Sequence, residues 1–104
     1  MVRLAVDRQL DALGWDAYVV NSGNEAIRLL EMQMHFDVIL IDMRLPDLEA
    51  PAVARIAAQR APAARILFMA AQIPATPPGG PVLLKPFSTV ALARALDEAS
   101  RYPR

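Results

Sequence analysis

The sequence predicts an α/β domain, a doubly wound parallel sheet with helices on both faces. Three observations predict it. Apolar runs of strand length end abruptly on charge: residues 38–41 (Val-Ile-Leu-Ile) on Asp42, and residues 82–84 (Val-Leu-Leu) on Lys85. Such unbroken runs of β-formers are the mark of strands buried on both faces. Between and around them lie segments of helical period, so that helix and strand alternate along the chain. Finally, 104 residues suffice for one core and not for two.

Each element has its own signal. Val2, Ala5, Val6, Leu10 and Leu13 recur at helical spacing with Arg3, Asp7, Arg8 and Asp11 opposite, and Gly14 stops that helix. Residues 17–20 (Ala-Tyr-Val-Val) read as a short strand. Ser22 and Glu25 form a capping-box pattern that opens a helix whose inward face is Ala26, Ile27, Leu30 and Met34. The strand ending on Asp42 follows. Pro51 suits the first turn of the next helix, with Val53, Ile56 and Ala57 inward and Ala61-Pro62 at its end. Residues 65–69 form another strand. Pro74, Pro77, Pro78, Gly79 and Gly80 forbid a helix between 72 and 81, so the strands on either side are joined by a loop where a parallel pair normally needs a helical crossover. Ser88 caps a last helix with Leu92, Ala95, Leu96 and Ala99 as its apolar stripe.

Composition narrows the function classes. Net charge is zero with no basic cluster, which excludes a nucleic-acid or anionic-lipid surface from the expected partners. There is no cysteine, hence no disulfide framework and no thiolate metal site. No run approaches the roughly 18 apolar residues of a membrane span, and the N-terminus has the pattern of a polar amphipathic helix rather than a signal peptide. The expectation is a cytoplasmic domain that does not bind membranes.

The candidate site follows from the strand ends. Open α/β sheets build their sites at the carboxyl ends of strands. Asp42 and Lys85, the only lysine of the chain, each end one apolar run. A carboxylate can serve as phosphoryl nucleophile and an ammonium can hold the transferred group. Blander roles are assigned elsewhere. His35 reads as a surface residue complementing a helix dipole, and Asp47 and Glu49 as first-turn charges of the following helix. Trp15 reads as a packed or half-exposed aromatic at a turn, and the methionines as core filler.

Over nearly its whole length the chain resembles the receiver domain of two-component response regulators. The segments that carry the resemblance are FDVILIDMRLPD (36–47), LLKPF (83–87) and VRLAVDRQLDALGW (2–15), the last similar to the family's first helix. The resemblance implies a flavodoxin-like doubly wound parallel sheet that here lacks the usual first strand and fourth helix. It implies a single domain, residues 1–104, with no output domain following. Asp42 would be the phosphoacceptor and Lys85 the contact to its phosphoryl oxygens, with a cis peptide before Pro86. Magnesium would be bound by Asp42 and by the backbone carbonyl of Arg44, weakly or not at all, because the family's acidic pair is absent with the first strand.

Other departures from the family pattern concern switching. The hydroxyl residue expected at the end of the fourth strand falls on Ala70, followed by Ala71, and the fifth-strand aromatic falls on Val82. Met1 coincides with an internal methionine of the pattern, so the natural start is expected upstream. A missing central strand would leave residues 17–20 and 38–41 with unpaired edges, to be repaired by a homodimer or by direct pairing of the two.

The function the resemblance implies is a non-enzymatic receiver. It would take a phosphoryl group on Asp42 from a sensor histidine kinase or histidine phosphotransfer protein and signal to a further protein by contact. A degenerate, phosphorylation-independent interaction module of the same fold is the alternative. A remoter one is an aspartyl-phosphate phosphatase of the haloacid dehalogenase type, which wants a second aspartate at position 44, where Arg44 stands.

Overall fold

The computed structural model describes residues 9–101 apart from 11, 16, 17, 19 and 34. Its elements are α1 (Gly23–Glu31), β1 (Val38–Asp42), α2 (Ala50–Arg60), β2 (Arg65–Ala70), β3 (Val82–Leu84) and α3 (Thr89–Arg101). The three strands form one parallel sheet in the order β1-β2-β3. Val38 stands opposite Arg65 and Asp42 opposite Met69, while Phe68 to Ala70 stand opposite Val82 to Leu84.

Strand alternation divides the core into two layers. Ile39, Ile41, Ile66, Phe68 and Val82 point to one face, where Ala26 of α1 and Ala50, Val53 and Ala54 of α2 cover them. Val38, Leu40, Leu67 and Leu83 point to the other, against Leu92, Ala95 and Leu96 of α3 and against Leu10, Leu13 and Trp15. Phe68, Leu92 and Val53 are the largest side chains fully shut off from solvent.

Most helix signals are realised. Ser22 Oγ accepts from the Glu25 N–H at 3.1 Å, although the Glu25 carboxylate reaches back to the Asn21 N–H rather than to that of Ser22. Pro51 lies in the first turn of α2, Ala61 caps its end, and Ala50, Val53 and Ala57 are its buried positions. Ser88 Oγ accepts from the Ala91 N–H at 3.0 Å. Gln9, Leu10 and Ala12 are helical, and Gly14 follows at φ +82°, a conformation open to glycine without a Cβ penalty. The rest of the expected first helix lies outside the described residues, as does Met34.

The structure corrects three expectations. Residues 17–20 are not a strand where they are described: Tyr18 and Val20 pair with none, and Tyr18 instead sets its ring edge-on to Phe36 at 6.2 Å. Among the described residues, no pairing of that segment with β1 is seen. Met32 is not core filler; it is the exposed C-cap of α1. Asp47 is not a first-turn charge of α2, which begins three residues later.

No helix occupies residues 71–81, so β2 and β3 are parallel neighbours joined by a bare loop. The loop does a helix's work of covering Phe68. The Phe68 N–H donates to the Pro81 carbonyl at 2.9 Å, and the backbone at Gly80 lies so close to the ring that a Cβ there would meet it at 3.2 Å. A side chain there would oblige the ring or the loop to give by a few tenths of an ångström.

Among the described residues, the other side of the sheet ends at β1. The Arg65 N–H donates to the Asp37 carbonyl and the Met43 N–H to the Met69 carbonyl, so the odd-numbered backbone groups of β1 face β2. Those of Val38, Leu40 and Asp42 face away. Among the described residues no strand pairs with that edge.

Candidate functional site

Asp42 and Lys85 meet. Lys85 Nζ donates to Asp42 Oδ2 at 2.5 Å, across 43 positions of sequence. Alternation explains why both side chains reach the same place: Asp42 continues the set Val38, Leu40, and Lys85 continues Leu83, all on the α3 face of the sheet. The two strands are not neighbours, because β2 runs between them. A lysine spans that gap where a shorter side chain would not. The side chains of Lys85 and Asp42 are 15% and 31% exposed, which makes the pair accessible from the rim and partly screened below it.

The strand that separates them also fixes their height. The Met43 N–H donates to the Met69 carbonyl and the Lys85 N–H to the Ala70 carbonyl, both at 2.8 Å. Each charged residue is thus locked at the last bonded step of the ladder. The second oxygen of Asp42 accepts from the Arg44 N–H at 2.9 Å, an Asx-type turn that bends the chain out of β1. The Lys85–Pro86 peptide is cis, as expected.

The remaining candidates lie apart. His35 precedes β1 at the opposite end from Asp42, where it bonds Asp37 at 3.0 Å in an exposed pair. Glu49 is the N-cap of α2 without a side-chain bond. Ala70 is buried at the end of β2 and brings no hydroxyl. Asp47 has the role that sequence reading missed: Oδ1 accepts from the Gly23 N–H and Oδ2 from the Asn24 N–H, each at 2.9 Å. The Asn24 N–H, ahead of the opposing effect of burial and the further pull of the Gly23 N–H, holds the Asp47 carboxyl below its ordinary pKa.

The described residues do not make a magnesium cage. No group of three or more carboxylate, imidazole or thiolate side chains comes together, and both oxygens of Asp42 already have protein partners. Magnesium demands a near-octahedral oxygen shell, and one carboxylate with the Arg44 carbonyl supplies little of it.

No family model matches the sequence, and no curated protein matches it. Solved structures do. The receiver domain of a sensor histidine kinase from Pseudomonas aeruginosa PAO1, which has a magnesium ion coordinated in its active-site cleft, is 25% identical with a TM-score of 0.85 over 95% of this chain and 88% of its own. A response regulator receiver protein from Sinorhizobium medicae WSM419 is 24% identical with a TM-score of 0.83, over 95% of this chain and 85% of its own. The chemotaxis protein CheY4 of Vibrio cholerae is 22% identical at 0.81, over 94% and 88%.

The fold is that of a response regulator receiver domain. In this receiver fold a three-stranded parallel sheet is described, with α1 and α2 on one face and α3 on the other. No helix among the described residues is long and apolar enough to cross a membrane.

Proposed function

We propose that the chain is a receiver domain of a two-component phosphorelay that accepts a phosphoryl group on Asp42. The observation that carries this reading is the Asp42–Lys85 contact at the carboxyl ends of two strands, on one face and at one height. A carboxylate oxygen of Asp42 attacks phosphorus, the P–N bond of a phosphohistidine on a sensor kinase or phosphotransfer protein breaks, and an acyl phosphate forms. Lys85, released from the carboxylate as its charge is spent, pairs with a phosphoryl oxygen instead. The receiver is the substrate of this transfer and not an enzyme in its own right.

Two features temper the chemistry. Magnesium, with Asp42 and the Arg44 carbonyl as its protein ligands, is held weakly or not at all in this reading. Ala70 withholds a hydroxyl, a hydrogen bond to a charged group of about 1.5–3 kcal/mol. Lys85 then carries most of the charge neutralisation. Output passes to a downstream protein through α3 or the Asp42-side loops, since residues 71–81 hold no helix to present. The edge of β1 that no described strand pairs makes a homodimer part of the same proposal.

The test is incubation with acetyl phosphate, with and without magnesium, followed by intact mass. One phosphoryl adduct that disappears in Asp42→Asn supports the reading. The second reading, a phosphorylation-independent binding module, is favoured by Ala70 and the sparse oxygen ligands around Asp42. It predicts no adduct and partner binding unchanged in Asp42→Asn.

A further inference from the structure

We infer that Asp47 is a positioning residue for Asp42: it locks the loop that orients the Asp42 carboxylate onto the N-terminus of α1. The inference rests on the phosphoacceptor reading for its functional meaning and on independent geometry for its substance.

A helix leaves its first N–H groups without intrahelical partners. In α1 the Glu25 N–H goes to Ser22 Oγ, the ordinary local cap. The Gly23 and Asn24 N–H groups go to the two oxygens of Asp47, 24 and 23 positions further along the chain. The start of α1 is thus closed by two side chains, one local and one borrowed from the loop after β1. An ionised carboxylate suits the positive end of the helix dipole, in keeping with the lowered pKa of Asp47.

Leu48 completes the lock. A Cβ on Gly23 would lie 2.8 Å from Leu48 Cδ1 and 2.9 Å from its Cβ. Glycine at the first position of α1 is therefore what lets the loop seat there, and the carboxylate and the leucine hold it by different forces.

The lock reaches Asp42 through a short span. Met43 is fixed to β2 by its bond to Met69, and Asp47 is fixed to α1. Between these anchors stand Arg44, Leu45 and Pro46, the last with a fixed φ. Arg44 supplies the N–H that holds Asp42 Oδ1. With both ends of the span tied, the aim of that N–H, and hence the carboxylate it orients, is set in part by where α1 begins.

Amide exchange in the full chain tests this. In Asp47→Ala, exchange at Gly23, Asn24 and Arg44 rises about fivefold to tenfold, while Leu67 to Met69 in β2 keep their protection. Asp47→Asn, with one acceptor oxygen left, restores part of the loss, and should Asp47→Ala fail to fold, Asp47→Asn decides by the same amides. Phosphoryl uptake from acetyl phosphate slows in step with Arg44 exchange. Arg44 exchange within twofold of the parent in Asp47→Ala, or in Asp47→Asn where the alanine variant does not fold, overturns the inference, whether or not Gly23 and Asn24 loosen. If the parent chain takes up no phosphoryl group, the phosphoacceptor reading has failed and the Arg44 amide still decides the role of Asp47.

Discussion

The loops that carry Asp42 and Lys85 leave the sheet at the same height but are held differently. The Asp42 loop is tied by a carboxylate that takes two helix N–H groups at 2.9 Å and by Leu48 pressed against Gly23. The Lys85 loop is tied by a neutral amide: Gln9 Nε2 donates to the Phe87 carbonyl at 3.2 Å and to Thr89 Oγ1 at 3.3 Å, the second bond exposed. Charge-assisted bonds are shorter and about twice as strong as neutral ones. The acid is therefore presented by a braced loop and the base by a looser one. That division suits a site in which the nucleophile must be aimed while the cation must follow its charge from carboxylate to phosphoryl oxygen.

Four measurements break or sharpen this contrast. The largest effect concerns what the loops share. Phe68, buried in β2 between them, should cost about 3–5 kcal/mol as Phe68→Ala in urea unfolding and loosen both sides together. A loss well under 1 kcal/mol would mean that β2 is not their common floor. Next, Gly23→Ala should strain the Asp42 side by overpacking against Leu48, about 1–3 kcal/mol, offset in part by the better helix propensity of alanine. Amides near Phe87 should not respond.

Lys85→Ala comes third in stability and first in function. The pair is partly exposed, so thermal unfolding should shift by about 1 kcal/mol or less, while phosphoryl uptake falls about tenfold to a hundredfold for loss of a charged hydrogen bond. A drop in stability like that of Phe68→Ala would make Lys85 structural. The smallest effect is Gln9→Ala, about 0.5–1 kcal/mol, with faster exchange confined to the Phe87–Thr89 turn.

Acid separates the loops without mutation. Because the Asp47 pKa is lowered on folding, its contribution is complete above the ordinary carboxylate pKa of about 4 and is lost as pH falls through the lower, folded value. The start of α1 should loosen there before the Gln9 contacts do.

Legibility in the sequence followed locality. The strands ending on Asp42 and Lys85 were readable because a buried strand writes its burial into consecutive residues, and their meeting followed from βα order. The Ser22 and Ser88 caps were readable because donor and acceptor lie three residues apart. The Asp47 lock was not, since its partners are more than twenty positions away and a lone Asp after Pro46 looks like an ordinary helix approach. Gly23 offered a faint signal, a glycine at a first helical position where propensity disfavours it. Gly80 was read only as a helix breaker, because the ring it must approach belongs to β2. Residues 17–20 have strand-like chemistry, yet Tyr18 and Val20 lie in no strand, because β-forming side chains favour a pleated surface without fixing which edge a segment joins.

Trp15 gives the molecule a built-in reporter. It is the only tryptophan of the chain, it is half-buried, and it packs in the layer with Phe87, Leu92 and Leu96. Its emission therefore reads the environment beneath the Lys85 turn and not that of the Asp42 loop, whose apolar residues lie in the opposite layer. An unlabelled sample carries its own optical probe of the looser side, and a spectral change on phosphorylation would mean that the signal had passed from the Asp42–Lys85 pair at the rim into the layer beneath it.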